Sequence, residues 1–428
     1  MSYRNGLNYL GSKTRVIELC NQLGARLVVC PEWNGRVMTS SCDGLDGASF
    51  GLINVKEIDS AEIDRSFGFY GGEDQFTLSP EGGPFSLYYA TNPEAKAITS
   101  DHIQLPVGFQ EGPFKVDSLP HSPEVRMRRN LQMTNIAGAH FDLDIVRTVR
   151  LQESEDIRSV FGSAVTVSLE QTDVSYVAFA TINAVINRGM PHSKLSGLVS
   201  VRIRSMFNSS QHTVAVVPFR PGKEEELGPP VCADFFGSAP HGRLRLLPQA
   251  ALLRADSKYR CQIGVSRKRA LPFVGSVDFR EGILTLVAFD MPQPPWKHDY
   301  LSNAYCETVG NTVADFVNAR EFYVAQADRA DTKVESEKSI SASEDEETPY
   351  SGEVVRAYNH GPAYPGEIVS GQFYEFDVFS STRELNKGDS LVHHQYTIHI
   401  NADNRTLAYI ADKVLGIDYE QAYRKMMN

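Results

Sequence analysis

The chain is short of the patterns that announce the commonest chemistries. Its 428 residues hold no P-loop, dinucleotide-binding glycine fingerprint, G-x-S-x-G elbow or H-E-x-x-H pair. The phosphate, cofactor, esterase and zincin readings built on those patterns therefore fall away. Cysteine is sparse and scattered, at Cys20, Cys30, Cys42, Cys232, Cys261 and Cys306. With no C-x-x-C spacing, zinc and redox motifs are excluded, and free buried thiols are expected in place of a disulfide framework. Basic charge is also in deficit, with 42 Lys and Arg against 53 Asp and Glu and a net charge of −11. That balance disfavours nucleic acid and anionic membrane as partners. Arg126-Met127-Arg128-Arg129 and Arg267-Lys268-Arg269 are read as solvated strand or turn positions. No apolar run approaches the ~18 residues of a membrane span. The segment Met1 to Gly6 lacks the apolar core of a secretion signal. A soluble cytoplasmic protein is expected, or a periplasmic or secreted one if a leader has been removed.

What remains is ample apolar material, 42% of residues, in a strand-like rhythm. Short β-branched and aromatic runs separated by Gly, Pro, Asn and Asp fill residues 85 to 320. They are Phe85 to Tyr89, Val125 to Met133, Phe141 to Leu151, Ser163 to Gln171, Ser175 to Ile186, Leu198 to Met206, His212 to Pro218, Leu244 to Leu247, Tyr259 to Val265, Phe273 to Phe279 and Ile283 to Phe289. Many strands at short spacing predict a large antiparallel sandwich or barrel. Earlier, Lys13 to Gly24 has helical spacing. Ala25 to Cys30 and Val37 to Cys42 read as a hairpin turning at Pro31 and Asn34-Gly35. Residues 325–352 are acidic and polar, including Glu344-Asp345-Glu346-Glu347, and predict a mobile insertion loop. Strand patterns resume at Gly352 to Tyr358, Gly371 to Phe379 and Leu391 to Ile400, and Thr406 to Leu415 reads as a helix. Because strands flank the insertion, residues 1–428 are expected to form one domain.

The most shaped stretch is Gly71-Gly72-Glu73-Asp74-Gln75-Phe76, continued by Pro80-Glu81-Gly82-Gly83-Pro84. Glycine permits close backbone approach and proline fixes φ, so Glu73 and Glu81 are expected to line a polar pocket. The plainer reading is a tight hairpin with surface acids. The supply of carboxylates, arginines and aromatics suits a polyol whose hydroxyls are hydrogen-bonded and whose ring faces stack. No metal is expected. His393 and His394 are adjacent in an extended run and point to opposite faces, although one of them could act with His399.

The stretch Phe373-Tyr374-Glu375-Phe376-Asp377-Val378-Phe379, followed by Leu385-Asn386-Lys387-Gly388-Asp389 and the strand with His393-His394, resembles the C-terminal signature of the galactose mutarotase (aldose 1-epimerase) superfamily. Trp33-Asn34-Gly35-Arg36-Val37 resembles that superfamily's early hairpin. Gly237 to Leu244, Arg254 to Gly264 and Val355 to Pro362 are similar to poorly characterised bacterial families that share the fold. The resemblance implies an all-β, galactose mutarotase-like antiparallel supersandwich with a few short peripheral helices, a sugar site on the concave face of the larger sheet, a carbohydrate ligand and no cofactor. It implies Glu375 as general base on an anomeric hydroxyl. The superfamily's acidic His has no clear counterpart, and His140 and His192 are the candidates for it. Arg36, Glu73, Glu81, Trp33, Lys258, Arg260 and His360 are expected to bind substrate, with Lys258 and Arg260 on one strand face and Trp296 as a further stacking candidate. Two alternatives stand beside an epimerase. One is a non-catalytic sugar-binding or structural protein. The other is a polysaccharide lyase or hydrolase relative, for which Tyr358, Asn359 and His360 are the best stretch.

Overall fold

A computed structural model describes residues 1–60, 70–83, 85–88, 104–118, 122–233, 236, 241–291, 352–362, 364, 366, 367, 369, 371–418, 423, 424, 426 and 427. The expected insertion loop, apart from Gly352, and Trp296 lie outside the described residues.

The first sheet has three strands, β1 (Ile17–Cys20), β2 (Arg26–Cys30) and β3 (Arg36–Ser41), in that order. Its β2–β3 turn uses Asn34 and Gly35 at positive φ, 59° and 60°, the conformation for which an Asn-Gly pair is suited. The remaining strands are β4 (Gln75–Ser79), β5 (Lys115–Val116), β6 (Glu124–Thr134), β7 (His140–Leu151), β8 (Ser175–Asn187) and β9 (Ser200–Asn208). They continue as β10 (Val214–Pro218), β11 (Leu244–Leu246), β12 (Ala250–Arg254), β13 (Cys261–Ser266), β14 (Phe273–Asp278) and β15 (Ile283–Phe289). Last come β16 (Glu353–Asn359), β17 (Phe373–Phe379) and β18 (Ser390–Asn401). Ten of these form one antiparallel sheet, β11-β12-β10-β14-β15-β18-β8-β7-β6-β5, and five form another, β13-β16-β17-β9-β4.

The two large sheets enclose most of the core. Phe76, Leu78, Ile203, Tyr374, Phe376 and Val378 from the smaller sheet meet Val185, Ile145, Val274 and Val287 from the larger. The far face of the ten-stranded sheet is covered by α4 (Ser154–Phe161), α5 (Ser163–Leu169) and α7 (Asn404–Leu415), through Ile157, Val165, Leu407, Ile410 and Leu415. The expected large antiparallel all-β sandwich with short peripheral helices is therefore the fold. Among the described residues no helix is long and apolar enough to cross a membrane.

Several local expectations are corrected. The first helix, α1, is Tyr3–Lys13, while Ile17–Cys20 is a strand. Ser2 caps that helix by accepting from the Asn5 N–H, and Tyr3 and Leu10 are buried on one face. In β1, Leu19 enters the core while Glu18 bonds the hydroxyl of Tyr3 and the guanidinium of Arg26. Two-residue alternation thus overrode the helical spacing. Ser163–Leu169 is a helix despite its β-branched run, because Val165 and Leu169 fall on the face that packs on the sheet. Phe85, Leu87 and Tyr88 are buried, in an irregular segment instead of a strand. The loop at 221–230 carries a short turn of helix, α6 (Glu224–Leu227), and α2 (Val55–Ile58) and α3 (Val107–Gln110) are equally short.

Candidate functional site

The outer face of the five-stranded sheet is charged, although its strands read as apolar-rich. In Val201-Arg202-Ile203-Arg204 the apolar members enter the core and the arginines point outward, as strand alternation requires. On β17 the same alternation sends Tyr374, Phe376 and Val378 inward and leaves Glu375 and Asp377 on the outer face. Register then sets the pairs. Arg204 stands opposite Asp377, and Met206 opposite Glu375. The bidentate pairs are diagonal. Arg204 donates Nε and Nη2 to Glu375 at 3.0 and 2.9 Å, and Arg202 donates the same atoms to Asp377 at 3.1 and 2.7 Å. Planar forks of this kind are the strongest geometry an arginine offers.

Two further residues extend the array. Glu81 lies 3.2 Å from Arg202 Nη1 and 3.4 Å from Arg356 Nη1, and Arg356 Nη2 lies 3.3 Å from Glu353. Both guanidinium groups lie over the Phe379 ring, at 5.6 and 5.5 Å. Three arginines thus face four carboxylates, all but Glu81 nearly sealed from solvent. The pairing can also be exchanged, since Arg204 Nε is 3.7 Å from Asp377 and Arg202 Nη2 is 3.9 Å from Glu375. Burial, opposed by Arg204 and reinforced by the charge on Asp377, pushes the Glu375 carboxyl up to about 8. For Asp377, burial raises the pKa, but Arg202 and Arg204 together outweigh it and hold the group low. Two neighbouring carboxyls with opposed protonation preferences are an arrangement suited to proton transfer.

One edge of this face is half-exposed and aromatic. Tyr358 stands opposite Glu375 on β16, and its hydroxyl meets His360 Nδ1 at 3.1 Å. His360 stacks on Phe373 at 4.4 Å and 17°, and Phe236 packs against Tyr358 at 5.8 Å. Burial pushes the Tyr358 hydroxyl upward, with Arg260 opposing and Glu375 adding to the shift. A ligand entering beside Tyr358 and His360 would meet ring faces first and the Glu375–Arg204 pair behind them.

Of the residues singled out from sequence, Glu375, Glu81 and His360 come together here, with Glu375 on the five-stranded sheet and not on the larger one expected to carry the site. Arg36 borders the group. It is fully buried, donates to the carbonyls of Gly71 (2.8 Å) and Phe109 (3.3 Å) and to Gln110 Oε1 (3.2 Å), and is lowered to about 9 by burial and then by Arg204. Gly72 accounts for the close fit, because its φ is 110° and a Cβ there would lie 2.6 Å from Arg36 Cδ. Arg260 donates to the Gly361 carbonyl and pairs with Glu367 at 3.3 Å. Lys258 is exposed and sits in a loop preceding β13, where Ser257 takes φ 57°, so it does not share a strand face with Arg260.

Glu73 faces the opposite way, into the seam between the sheets. It accepts from the Ser40 hydroxyl at 2.9 and 2.8 Å and lies 3.0 Å from His399 Nε2. Trp33 is buried with Tyr3, Leu10 and Met38 and packs on Tyr70 at 4.9 Å. His192 is buried against Phe141, and burial lowers it to about 4. His140 is exposed at the start of β7, near Thr134. Among the described residues neither histidine is hydrogen-bonded or ion-paired to Glu375.

Sequence reasoning passed over Arg202, Arg204, Asp377, Arg356 and Glu353. For Arg202, Arg204 and Asp377 the signal was present as charge at every second position within strands, whereas Glu353 and Arg356 stand three positions apart. Among the described residues no cluster of His, Cys, Asp and Glu has the geometry to hold a metal ion.

Comparison with known proteins gives low-identity structural matches. Slr1438 from Synechocystis sp. PCC 6803 is 11% identical, with 91% of this chain and 97% of that one covered and a TM-score of 0.47. A candidate aldose 1-epimerase from Escherichia coli K12 is 10% identical, with 91% and 99% covered and a TM-score of 0.45. A candidate mutarotase, YeaD, from Salmonella typhimurium is 10% identical, with 93% and 99% covered and a TM-score of 0.37. No curated protein matches the chain. A family model matches residues 1–321 and 327–426, so the chain belongs to the family of unknown function DUF6786.

Proposed function

We propose that the protein binds a carbohydrate on the outer face of its five-stranded sheet and interconverts its anomers, with Glu375 as the proton acceptor. The observation that carries this reading is the bidentate Arg204–Glu375 pair behind the half-exposed Tyr358–His360 edge. Arginine forks and carboxylates match the paired donors and acceptors of a polyol, and the rings of Phe373, Tyr358 and Phe236 offer faces for stacking. A carboxyl raised by burial takes a proton from an anomeric hydroxyl near neutral pH more readily than an ordinary glutamate does. When Glu375 turns to the ligand, Arg204 retains Asp377 as a partner, so no arginine is stranded in the buried face. The Tyr358–His360 pair lies on the solvent side and is the group placed to return a proton to the ring oxygen. Glu81 and Arg260 frame the face and position the sugar, while Arg36 holds the backbone at Gly71 and Phe109 beside it.

The test is exchange NMR of the two anomers of a panel of aldoses and uronic acids, with wild type and Glu375→Gln. Wild type accelerates exchange for at least one sugar, and Glu375→Gln removes the acceleration. Acceleration that survives the substitution removes Glu375 as the base. The Tyr358–His360 hydrogen bond also favours a second reading, elimination across a uronide. Ultraviolet absorbance from an unsaturated product would identify it, with no change in anomer exchange.

A further inference from the structure

A cavity opens on the side of β17 away from Glu375. Tyr374 and Glu375 are neighbours and point to opposite faces of the strand, and Tyr374 lines this cavity together with Ser49, Phe50, Phe207, Ser210, Ser276, Asp278, Glu281, Thr285 and His399. Its volume is 220 Å³, room for about seven waters and less than the ~300 Å³ lower bound for drug-sized ligands. We infer that it is a binding site for a small hydroxylated ammonium compound, separate from the Glu375 face.

Three properties select that chemistry. The lining is aromatic: Phe50 stacks on His399 at 4.4 Å and 12°, Phe207 meets His399 at 5.2 Å, and Tyr374 packs on Phe207 at 5.4 Å. Such surfaces attract a cation more than an anion. Between the rings stand hydroxyls. Ser49 bonds Thr39, Ser276 bonds Tyr374, and Thr285 bonds His399 Nδ1 at 2.8 Å. Each of these pairings leaves a hydroxyl with further acceptor capacity for a ligand's O–H or N–H groups.

The third property is charge. Asp278 is buried and accepts from Ser210, Thr213 and the N–H groups of Arg280 and Glu281. Glu281 lies exposed at the rim. Behind His399 sits Glu73, whose partners are the hydroxyl and N–H of Ser40 and the imidazole. His399 bridges Glu73 and Thr285, with Nε2 3.0 Å from Glu73 and Nδ1 2.8 Å from the Thr285 hydroxyl. Among the described residues no Lys or Arg lines the cavity or ion-pairs with Asp278, Glu281 or Glu73. Asp278, a buried carboxylate held only by hydroxyls and backbone N–H groups, leaves a negative field that a ligand cation offsets.

The experiment is calorimetric titration with 2-aminoethanol, with ethylene glycol as the neutral analogue of the same size and glycolate as the anionic one. The amine binds at least about tenfold more tightly than the diol, the value of one charge-assisted hydrogen bond, and glycolate does not bind. Because Asp278 also holds its own turn, the variant that decides is the exposed Glu281→Lys, which places an ammonium at the rim and abolishes amine binding while the fold persists. Glu375→Gln leaves amine binding unchanged, so failure of this site and failure of the sugar site are separable. Equal binding of amine and diol overturns the inference, as does amine binding that survives Glu281→Lys or that is lost in Glu375→Gln.

Discussion

Asp74 and Glu375 are both buried and both face an arginine, yet their surroundings differ in kind. Asp74 lies between the sheets, where Arg147 has no exposed surface and Thr181 and Gln395 fill the second oxygen at 2.7 and 3.2 Å. That pair is sealed, and every donor around it is committed to one geometry. Glu375 instead shares two arginines with Asp377, has an alternative arrangement within 4 Å, and backs onto the half-exposed Tyr358 and His360. A buried ion pair with one arrangement serves the fold, whereas one whose partners can be exchanged at an accessible edge can serve a ligand. Glu73, two residues before the start of β4, belongs with the first kind by position and borders the smaller cavity through His399.

The largest effect tests that contrast through stability. Arg147→Ala leaves Asp74 uncompensated in the interior and costs about 3–5 kcal/mol, read from urea unfolding. Arg204→Ala leaves Glu375 near Arg202 and costs about 1–3 kcal/mol. Equal costs would erase the distinction between a sealed pair and an exchangeable one. Next in size is catalysis. Glu375→Gln lowers anomer exchange by about 100-fold or more, the contribution expected of a general base, whereas Arg147→Ala lowers it only in proportion to the folded fraction.

The pH dependence sharpens the comparison further. Glu375 binds its proton more tightly when folded, so its favourable contribution is complete below the unfolded carboxyl range. That contribution is lost as pH rises towards about 8. Asp377, held low, contributes above its ordinary range and loses that contribution only in acid. The stability of wild type minus that of Glu375→Gln therefore falls between about pH 4.5 and 8, and a flat difference would mean that Glu375 is ionised throughout. Smallest is a surface control, His394 and Asp290, 2.7 Å apart and both partly exposed. The hydrogen bond that His394 donates to Asp290 raises His394, so this pair stabilises at acid pH and fades as pH rises through the folded His394 value. Asp290→Asn costs less than about 1 kcal/mol at pH 5 and nothing at pH 9.

Strand alternation made most of the fold legible, because Phe376 and Val378 must share one face of β17 and Glu375 and Asp377 the other. Turn chemistry made the Asn34-Gly35 turn legible in the same way. Alternation could not reveal which arginine Glu375 meets, because that depends on the register between β9 and β17, set by residues about 170 positions apart in the chain. Glu73 and Glu81 illustrate the same limit. Both flank β4 in a glycine-rich context, but the backbone path sends one to Ser40 and His399 and the other to Arg202 and Arg356. Helix α5 was hidden for another reason, since its Ser-Ala-Val-Thr-Val-Ser-Leu sequence favours a strand locally and only packing on the sheet makes it helical.

The most direct measurement is sugar binding by calorimetry, using whichever aldose wild type accelerates, on folded Glu375→Gln and Glu73→Gln side by side. Affinity falls at least about tenfold in Glu375→Gln, by loss of a charge-assisted hydrogen bond, and stays at the wild-type value in Glu73→Gln. Loss of binding in Glu73→Gln with retention in Glu375→Gln would place the sugar between the sheets and contradict the account.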